Sequence, residues 1–373
     1  MLGYMILGGI VALSIGIYFY ITGNRLCIYY GVLLDQQRKK TVLILISLIV
    51  AILGFNVWGL PAVILLHICA FSVLCDILRL FLHWITGSYV NQRKRDHKKL
   101  HRILANGLFP VLATAVVLGY GFFNINHVIE QDYTRTTQKN IRPEGYRIAF
   151  LSDVHYDTVQ KPHVFQKVVE KISAQKPDVL VLGGDIVEEN TSKEAMHEVF
   201  EMLGKIPTTY GIYYVYGNHD RQSYARIRSY TESDLQHTIE SNGITILEDT
   251  YIEINQELVL AGRGDAAWGN QSDRAVLSKV LNGVRKDRCI VMVDHQPVEV
   301  EDNAAHGVDF QLSGHTHGGQ IWPVGLFMDM FGTYSYGLYK VDGCQLIVSS
   351  GEAGWGYPLR TGHHSEYVML HIR

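Results

Sequence analysis

The first third of this 373-residue chain contains four apolar stretches that are long enough to cross a lipid bilayer. A membrane-spanning helix needs about 20 mostly apolar residues, and these stretches occupy residues 4–22, 42–60, 62–85 and 103–123. In lipid, a helix is one of the few structures that satisfies its own backbone hydrogen bonds. A cleavable signal peptide would explain only the first stretch, whose start has no basic residues. Residues 1–124 are therefore predicted to form an all-α transmembrane bundle of four helices.

Basic residues are concentrated in two of the connections between these stretches. They are Arg25, Arg38, Lys39 and Lys40 in the first connection and Arg93, Lys94, Arg95, Lys98, Lys99 and Arg102 in the third. Short basic connections stay in the cytoplasm, so alternation places the N-terminus and the C-terminal two-thirds on the other side. We expect a multi-pass cell-membrane protein whose C-terminal domain is extracytoplasmic. A nucleic-acid patch is the alternative for the second basic run, but a net charge of −3 gives no support for a nucleic-acid partner.

The remainder of the chain has the composition of a soluble protein. A polar segment, residues 125–145, is predicted to be a linker, and from Tyr146 onwards short β-rich runs alternate with amphipathic helices. This alternation favours an α/β layer architecture. Strand-like runs near the C-terminus suggest a second sheet, so residues 146–373 are predicted to form one domain.

Five polar fragments each follow a predicted buried strand. In chain order they are Asp153-Val154-His155, Gly183-Gly184-Asp185, Gly217-Asn218-His219-Asp220, Asp294-His295 and Gly314-His315-Thr316-His317. Open α/β sheets bind their ligands at the carboxyl ends of strands. Carboxylate, amide and imidazole donors together suit divalent transition metals, and two such ions can clamp the attacking and leaving oxygens of a phosphoryl transfer. The ordered set therefore predicts a metal-dependent phosphoesterase.

In this order the fragments resemble the calcineurin-like metallophosphoesterase family, and the apolar first third resembles its bacterial membrane-anchored branch. The family pattern is DxH, GD, GNHD, H and GHxH, and the resemblance covers residues 146–373. It implies an α/β fold of two mixed β-sheets packed face to face with flanking helices. It also implies two divalent metal ions, Mn, Fe or Zn, with manganese favoured. The implied ligands are Asp153, His155 and His317 for one ion, Asn218, His295 and His315 for the other, and Asp185 as the bridge.

The resemblance also implies a mechanism. A hydroxide bridging the metals attacks phosphorus, while His219, outside the metal coordination, stabilises the developing charge or protonates the leaving oxygen. Asp220 is expected to orient the ring of His219, as carboxylates do for catalytic imidazoles. The expected function is hydrolysis of phosphomonoester, phosphodiester or pyrophosphate bonds, with lipid-linked envelope substrates among the candidates. The alternative is a catalytically silent scaffold or regulatory domain, whose signature would be missing ligands.

Asp76, in the third apolar stretch, is an ionisable group of the kind that can mark a transport path, and the sequence offers no other explanation for it. Three other features have two interpretations each. Asp294 is either a partner of His295 or solvated. Arg360 either contacts a substrate phosphate or lies on the surface, and we favour the surface. An apolar run either lines a lipid-facing groove or packs in the core, and we favour the core. Its residues are Trp322, Phe327, Met328, Met330 and Phe331.

Overall fold

The structure, a computed structural model, describes residues 2–57, 59–88, 100, 102–266 and 274–373. The chain divides into two compact units, Met1–Tyr120 and Gly121–Arg373. Most of the second basic connection lies outside the described residues, namely Arg93, Lys94, Arg95, Lys98 and Lys99.

The apolar third is helical. Its described helices are α1 Leu2–Tyr29, α2 Gln36–Phe55, α3 Leu60–Ser88 and α4 Leu108–Ile125. Three segments are long and apolar enough to cross a membrane, and they are Met5–Tyr29, Leu60–Leu82 and Leu108–Ile125. Three of the four predicted spans therefore correspond to helices that could cross a membrane.

The second predicted span, residues 42–60, stays a prediction. Helix α2 includes Arg38, Lys39 and Lys40 near its start and ends at Phe55. Its 20 residues would extend about 30 Å, but the charged start shortens the apolar part of the helix.

Asp76 is paired within the first unit. Its carboxylate accepts hydrogen bonds from Arg25 Nη1 at 2.5 Å, Arg79 Nη1 at 3.3 Å and the Tyr18 hydroxyl at 3.1 Å. Ionisable groups among apolar helices are stabilised by pairing of this kind. These three hydrogen bonds account for the presence of Asp76 among the apolar helices.

The second unit is built on two six-stranded sheets. The first has the order β1-β12-β2-β3-β4-β5 and the second has the order β10-β11-β9-β8-β7-β6. Both are mixed, because β12 runs antiparallel to β2, and β6 and β10 run antiparallel to their neighbours. The strands of the first sheet are β1 Ile129–Arg135, β2 Tyr146–Leu151, β3 Val179–Leu182, β4 Ile212–Tyr214, β5 Ile244–Ile246 and β12 Glu366–Ile372. Those of the second are β6 Thr250–Glu253, β7 Leu258–Gly262, β8 Cys289–Val293, β9 Phe310–Ser313, β10 Gly337–Val341 and β11 Cys344–Val348. The predicted two-sheet fold is confirmed.

Helices accompany both sheets. They are α5 Pro162–Gln175, α6 Lys193–Gly204, α7 Glu232–Ser241, α8 Leu277–Val280, α9 Val300–Ala305 and α10 Val324–Met330, with a 3₁₀ turn at His317–Gly319. Strand β2 shows how the layers form, because successive side chains of a strand point to opposite faces. Ile148 and Phe150 pack against the second sheet, whereas Ala149 and Leu151 pack against the helices.

Strand β1 lies inside the segment that was predicted to be a linker. It pairs in parallel with β12 along its whole length, from Ile129 opposite Glu366 to Arg135 opposite Ile372. It is the edge strand of its sheet, and an edge strand with one solvated face tolerates the polar residues that made this segment resemble a linker. The segment is therefore part of the first sheet.

Candidate metal centre

The five polar fragments meet at one edge of the two sheets, where β2, β3, β4, β8 and β9 end. Asp153, His155 and His317 have ligand atoms that all lie within 4.8 Å of one another, and so do Asp185, His295 and His315. The Asn218 Oδ1 atom lies 3.2 Å from His295 Nε2. The backbone amide of His315 donates to Asp153 Oδ1 at 3.0 Å and thereby links the two groups. The structure thus brings together all seven predicted ligands; the bridging role of Asp185 stays a prediction.

The backbone that carries these ligands is unusual. Five of the seven have left-handed backbone, although none is glycine, and their φ angles are 55° at Asp153, 46° at His155, 51° at Asp185, 69° at His315 and 50° at His317. Such conformations cost free energy and concentrate at functional sites. Tertiary hydrogen bonds hold them, for example from the amides of Val154 and His155 to the carbonyl of Asp185, at 2.8 and 3.1 Å.

Two glycines allow the backbone to approach the predicted carboxylate ligands. A Cβ atom added to Gly217 would lie 2.2 Å from Asp185 Oδ1, and one added to Gly314 would lie 2.2 Å from Asp153 Oδ2. Any side chain at either position would therefore displace a carboxylate. The turn after each strand needs glycine because of this contact.

Two of the imidazole rings are oriented by main-chain carbonyls. His295 Nδ1 lies 2.8 Å from the carbonyl oxygen of Gly183, and His317 Nδ1 lies 3.2 Å from that of Ala353. A carbonyl oxygen only accepts, so each Nδ1 carries a proton. Each Nε2 faces a carboxylate, with His295 at 3.2 Å from Asp185 and His317 at 3.7 Å from Asp153. This is how metal-ligating histidines are usually held.

His155 provides the test of whether a metal fits here. Its side chain is fully buried, and neither ring nitrogen has a hydrogen-bond partner. The nearest carboxylate oxygen, Oε2 of Glu188, lies 3.5 Å from Nδ1. Leaving a buried polar group unpaired is costly, and a metal ion bound by His155 would remove that cost. The residues present therefore fit a pair of divalent ions.

The protonation of two predicted ligands, His315 and His317, agrees with metal binding. Burial lowers the pKa of His315 and lowers that of His317 to about 3, so both rings are neutral and can act as ligands. At His295 burial is outweighed by the carboxylate of Asp185, which raises the pKa of the ring well above its usual value. Burial alone would raise the pKa of Asp185. The neighbouring His295 and His219 rings outweigh it and hold that pKa well below its usual range.

His219 has a different partner from the one predicted. Its Nδ1 atom lies 2.7 Å from Oε2 of Glu189. Burial favours the neutral ring, but Asp185 and Glu189 outweigh it and raise the pKa of His219 to about 9. The ring is therefore protonated at neutral pH and held by Glu189.

Asp220 does not orient this ring. Its carboxylate accepts hydrogen bonds from the backbone amides of Asp185 at 2.8 Å, Gly217 at 2.6 Å, Ile186 at 2.9 Å and Val187 at 3.2 Å. The prediction was wrong because these amides occupy both carboxylate oxygens. Asp220 instead ties the turn after β3 to the turn after β4.

The family model of calcineurin-like phosphoesterases matches residues 146–319. These residues belong to that family.

The phosphoesterase domain is similar to several other proteins. An uncharacterized metallophosphoesterase of Helicobacter pylori is 30% identical over 230 residues, which are 61% of this chain and 59% of the relative. The chain thus spans less than two thirds of that relative. A Danio rerio transmembrane protein with a metallophosphoesterase domain is 25% identical over 374 residues, covering 94% of this chain and 77% of the relative. A Thermus thermophilus crystal structure covers 56% of this chain and 91% of its own, with a TM-score of 0.39 and 13% identity.

Two aromatic rings flank His219 in the phosphoesterase domain. The ring centroids of Trp355 and Tyr224 lie 5.5 and 5.4 Å from that of the imidazole. Neither belongs to a polar fragment, so sequence analysis missed them. Glu188 and Glu189 were missed as well, although they stand only three and four residues after Asp185 in the sequence.

Arg360 is not a surface residue. It is fully buried and donates to the carbonyl oxygens of His317 at 2.9 Å, Ser350 at 2.7 Å and Ala353. The surface interpretation was wrong, because the guanidinium supplies the donors that these buried carbonyls need. Arg360 therefore holds the loop that carries the predicted ligand His317.

Asp294 is also fully buried, and its carboxylate pairs with Arg274. Of its two interpretations, the solvated one is excluded. The pair stabilises the backbone next to His295.

Proposed function

We propose that this protein is a membrane-anchored, metal-dependent phosphoesterase that hydrolyses phosphomonoester, phosphodiester or pyrophosphate bonds. The observation that carries the proposal is the convergence of two groups of carboxylate and imidazole side chains, in one of which the buried Nε2 atom of His155 has no hydrogen-bond partner. Membership of residues 146–319 in the calcineurin-like phosphoesterase family supports the same chemistry. The candidate membrane spans and the transmembrane relative from Danio rerio indicate a membrane protein.

Asp153, His155 and His317 would hold one divalent ion, and Asp185, Asn218, His295 and His315 would hold the other, with Asp185 shared. Manganese is our first candidate, with iron and zinc as alternatives. When bound, such ions would neutralise phosphate charge and lower the pKa of water.

The residues around this centre have separate tasks. His219, held by Glu189, would donate a proton to the leaving oxygen of the phosphoester. The Asn218 amide adds an oxygen donor without adding negative charge where phosphate must bind. The Trp355 and Tyr224 rings cover the sides of His219 and limit the access of water to it.

We further propose that the phosphoesterase domain is extracytoplasmic. Arg25 lies near the end of α1, Arg38 to Lys40 lie at the start of α2, and the second basic run follows α3. Short basic loops stay in the cytoplasm. Both connections can lie there only if α2 crosses the membrane together with α3. A reporter domain fused after Arg373 tests the orientation, and cytoplasmic activity of that reporter would contradict it.

The substrates that we propose include lipid-linked phosphoesters, because membrane attachment raises the effective concentration of the domain near such molecules. A soluble phosphoester that fits into the metal centre would also be a substrate.

The experiment uses the full chain purified in detergent, stripped with a chelator and reloaded with Mn²⁺, Fe²⁺ or Zn²⁺. We expect about two ions per chain and hydrolysis of p-nitrophenyl phosphate or of bis(p-nitrophenyl) phosphate. Asp185→Asn is expected to lose metal and activity, and Asp342→Asn, at an exposed position, serves as the matched control. Tight binding of both metals without turnover of mono-, di- or pyrophosphate esters would favour the silent scaffold instead.

A further inference from the structure

An exposed apolar surface follows the predicted ligand His317 in the chain. The run that we expected in the core packs against little, and of the residues of α10 only Gly325 is buried. Phe331 is 85% exposed, Met330 70% and Trp322 69%. We define the apolar face by its exposed side chains, which are Trp322, Val324, Leu326, Phe327, Met330 and Phe331.

The one charged residue of α10, Asp329, is hydrogen-bonded to the chain that follows the helix. Asp329 Oδ1 accepts hydrogen bonds from the Ser335 amide at 3.1 Å and from the Tyr339 hydroxyl at 3.2 Å. The six side chains that define the face are large and apolar, and Asp329 is exposed beside Met330. Contiguous exposed surfaces of this composition mark interaction sites.

The apolar face continues into the end of a candidate membrane span. Within the second unit, the Trp322 amide donates to Thr361 Oγ1 at 3.1 Å, and the Arg360 amide donates to the Gly121 carbonyl at 3.0 Å. The Asn124 side chain donates to the carbonyls of Arg360 and His363, at 3.1 and 3.0 Å. Gly121 and Asn124 belong to the last turns of the span Leu108–Ile125.

Exposed aromatic residues lie on the same helix end. Phe122 is 48% and Phe123 63% exposed. A chain segment that leaves the membrane at Ile125 must pass through the lipid–water boundary. The loop of residues 360–363 joins that segment to Trp322, so the apolar face adjoins the boundary.

The apolar face is also connected to the metal centre. The Gln320 side chain accepts from the Trp355 amide at 2.8 Å and donates to the carbonyl of Leu359 at 3.0 Å. Gln320 stands between the predicted ligand His317 and Trp322 in the chain. This segment carries the predicted ligand His317 at one end and the apolar face at the other. Trp355, which flanks His219, is hydrogen-bonded to the middle of it.

We propose that the apolar face inserts into the interface of the lipid bilayer that α4 leaves, and that lipid-linked phosphoesters reach the metal centre along it. Tryptophan favours this boundary because its ring is apolar and its N–H is polar. Phenylalanine, leucine and methionine favour the acyl chains below the headgroups. The second half of this proposal rests on the proposed function, and the first half does not.

Insertion is tested by photo-crosslinking of the full chain in vesicles of phosphatidylcholine and phosphatidylglycerol with alkyne-tagged acyl chains. p-Benzoylphenylalanine is introduced in place of Phe331 or, as a control outside the face, in place of Val276, which is 68% exposed. We expect lipid adducts at position 331 and none at position 276. A crosslink between two copies of the chain, the absence of any adduct at position 331, or equal adducts at both positions would overturn insertion.

Delivery is tested by comparing two substrates. The double variant Phe327→Ser with Phe331→Ser is expected to hydrolyse phosphatidic acid in phosphatidylcholine vesicles about tenfold more slowly than the unchanged chain. Hydrolysis of p-nitrophenyl phosphate in detergent is expected to stay the same, and Val276→Ser is expected to change neither rate. An equal loss on both substrates, or no loss on either, would overturn delivery. If the unchanged chain hydrolyses neither of these monoesters and also leaves bis(p-nitrophenyl) phosphate and pyrophosphate esters intact, the proposed function fails, and the crosslinking result still decides insertion.

Discussion

The Nδ1 atom of His219 lies 2.7 Å from the Oε2 atom of Glu189. This contact fixes the orientation of the ring and, together with Asp185, raises the pKa of His219 to about 9 against the effect of burial. Glu189 thereby becomes a positioning residue that acts through His219. The two residues are separated by 30 positions in the sequence, so the pairing depends on the turns after β3 and β4.

We expect Glu189→Gln to lower kcat for an aryl phosphate by about tenfold or more, because general acid catalysis depends on the position and charge of the imidazole. KM and metal content are expected to remain those of the unchanged chain, since Glu189 is not among the predicted ligands. Kinetics and elemental analysis of the same samples measure both, with the exposed Glu194→Gln as the control. A loss of metal, or an unchanged kcat, would show that Glu189 has another role.

Asp220 is expected to matter for stability. In Asp220→Asn the side chain keeps one accepting oxygen for four backbone amides, so at least one buried donor loses its partner. The free energy of unfolding should fall by about 2–4 kcal/mol, and the Tm measured by circular dichroism should fall with it. Glu189→Gln is the comparison and should leave Tm nearly unchanged. An unchanged Tm with a lowered kcat would instead restore the role in catalysis that the sequence suggested.

Gly217→Ala is expected to abolish metal binding. The added methyl group would occupy a position 2.2 Å from Asp185 Oδ1, so the carboxylate must move away from His295 and His315. Calorimetric titration with Mn²⁺ measures the effect, which we expect to be at least about a hundredfold in Kd. Gly119→Ala, where an added Cβ meets nothing within 4 Å, is the control. Unchanged affinity in Gly217→Ala would place the metal elsewhere.

The predicted ligands were found from the sequence because local features determine them. Each fragment combines a strand end, a glycine and a polar donor, and parallel strands bring their carboxyl ends to one edge. Glu189 carries no such signal, since its distance from His219 is set by loop conformation. Arg360 was misassigned for the same reason, because its three carbonyl partners come from loops that fold around it.

Two other features depend on contacts that are distant in the sequence. Strand β1 is polar, and its residue Ile129 pairs with Glu366 of β12, which lies near the other end of the chain. The run after His317 was apolar enough for the core, and hydropathy alone does not distinguish a buried helix from one whose apolar side chains are exposed. The exposure of Phe331 and Met330 in the structure distinguishes these two cases.

The buried carboxyl group of Glu352, next to Ala353 in the chain, predicts how the stability of the protein depends on pH. Glu352 is fully buried, and burial raises the pKa of its carboxyl to about 8 against the opposing influence of Gln160 and Arg360. The folded protein therefore binds this proton at pH values where the unfolded chain has released it. Between the ordinary pKa of 4.5 and the raised pKa of about 8, stability must fall as pH increases.

We expect the Tm of the metal-free full chain to fall from pH 5 to pH 8, by an amount on the order of 5 °C from this group. Glu352→Gln has no proton to release, so its Tm should change less over the same range, while the exposed Glu144→Gln should follow the unchanged chain. Thermal unfolding in detergent with a chelator measures all three. If the Tm of Glu352→Gln fell in parallel with that of the unchanged chain, the carboxyl of Glu352 would be ionised in the folded state, and the loop around it would have to open to water.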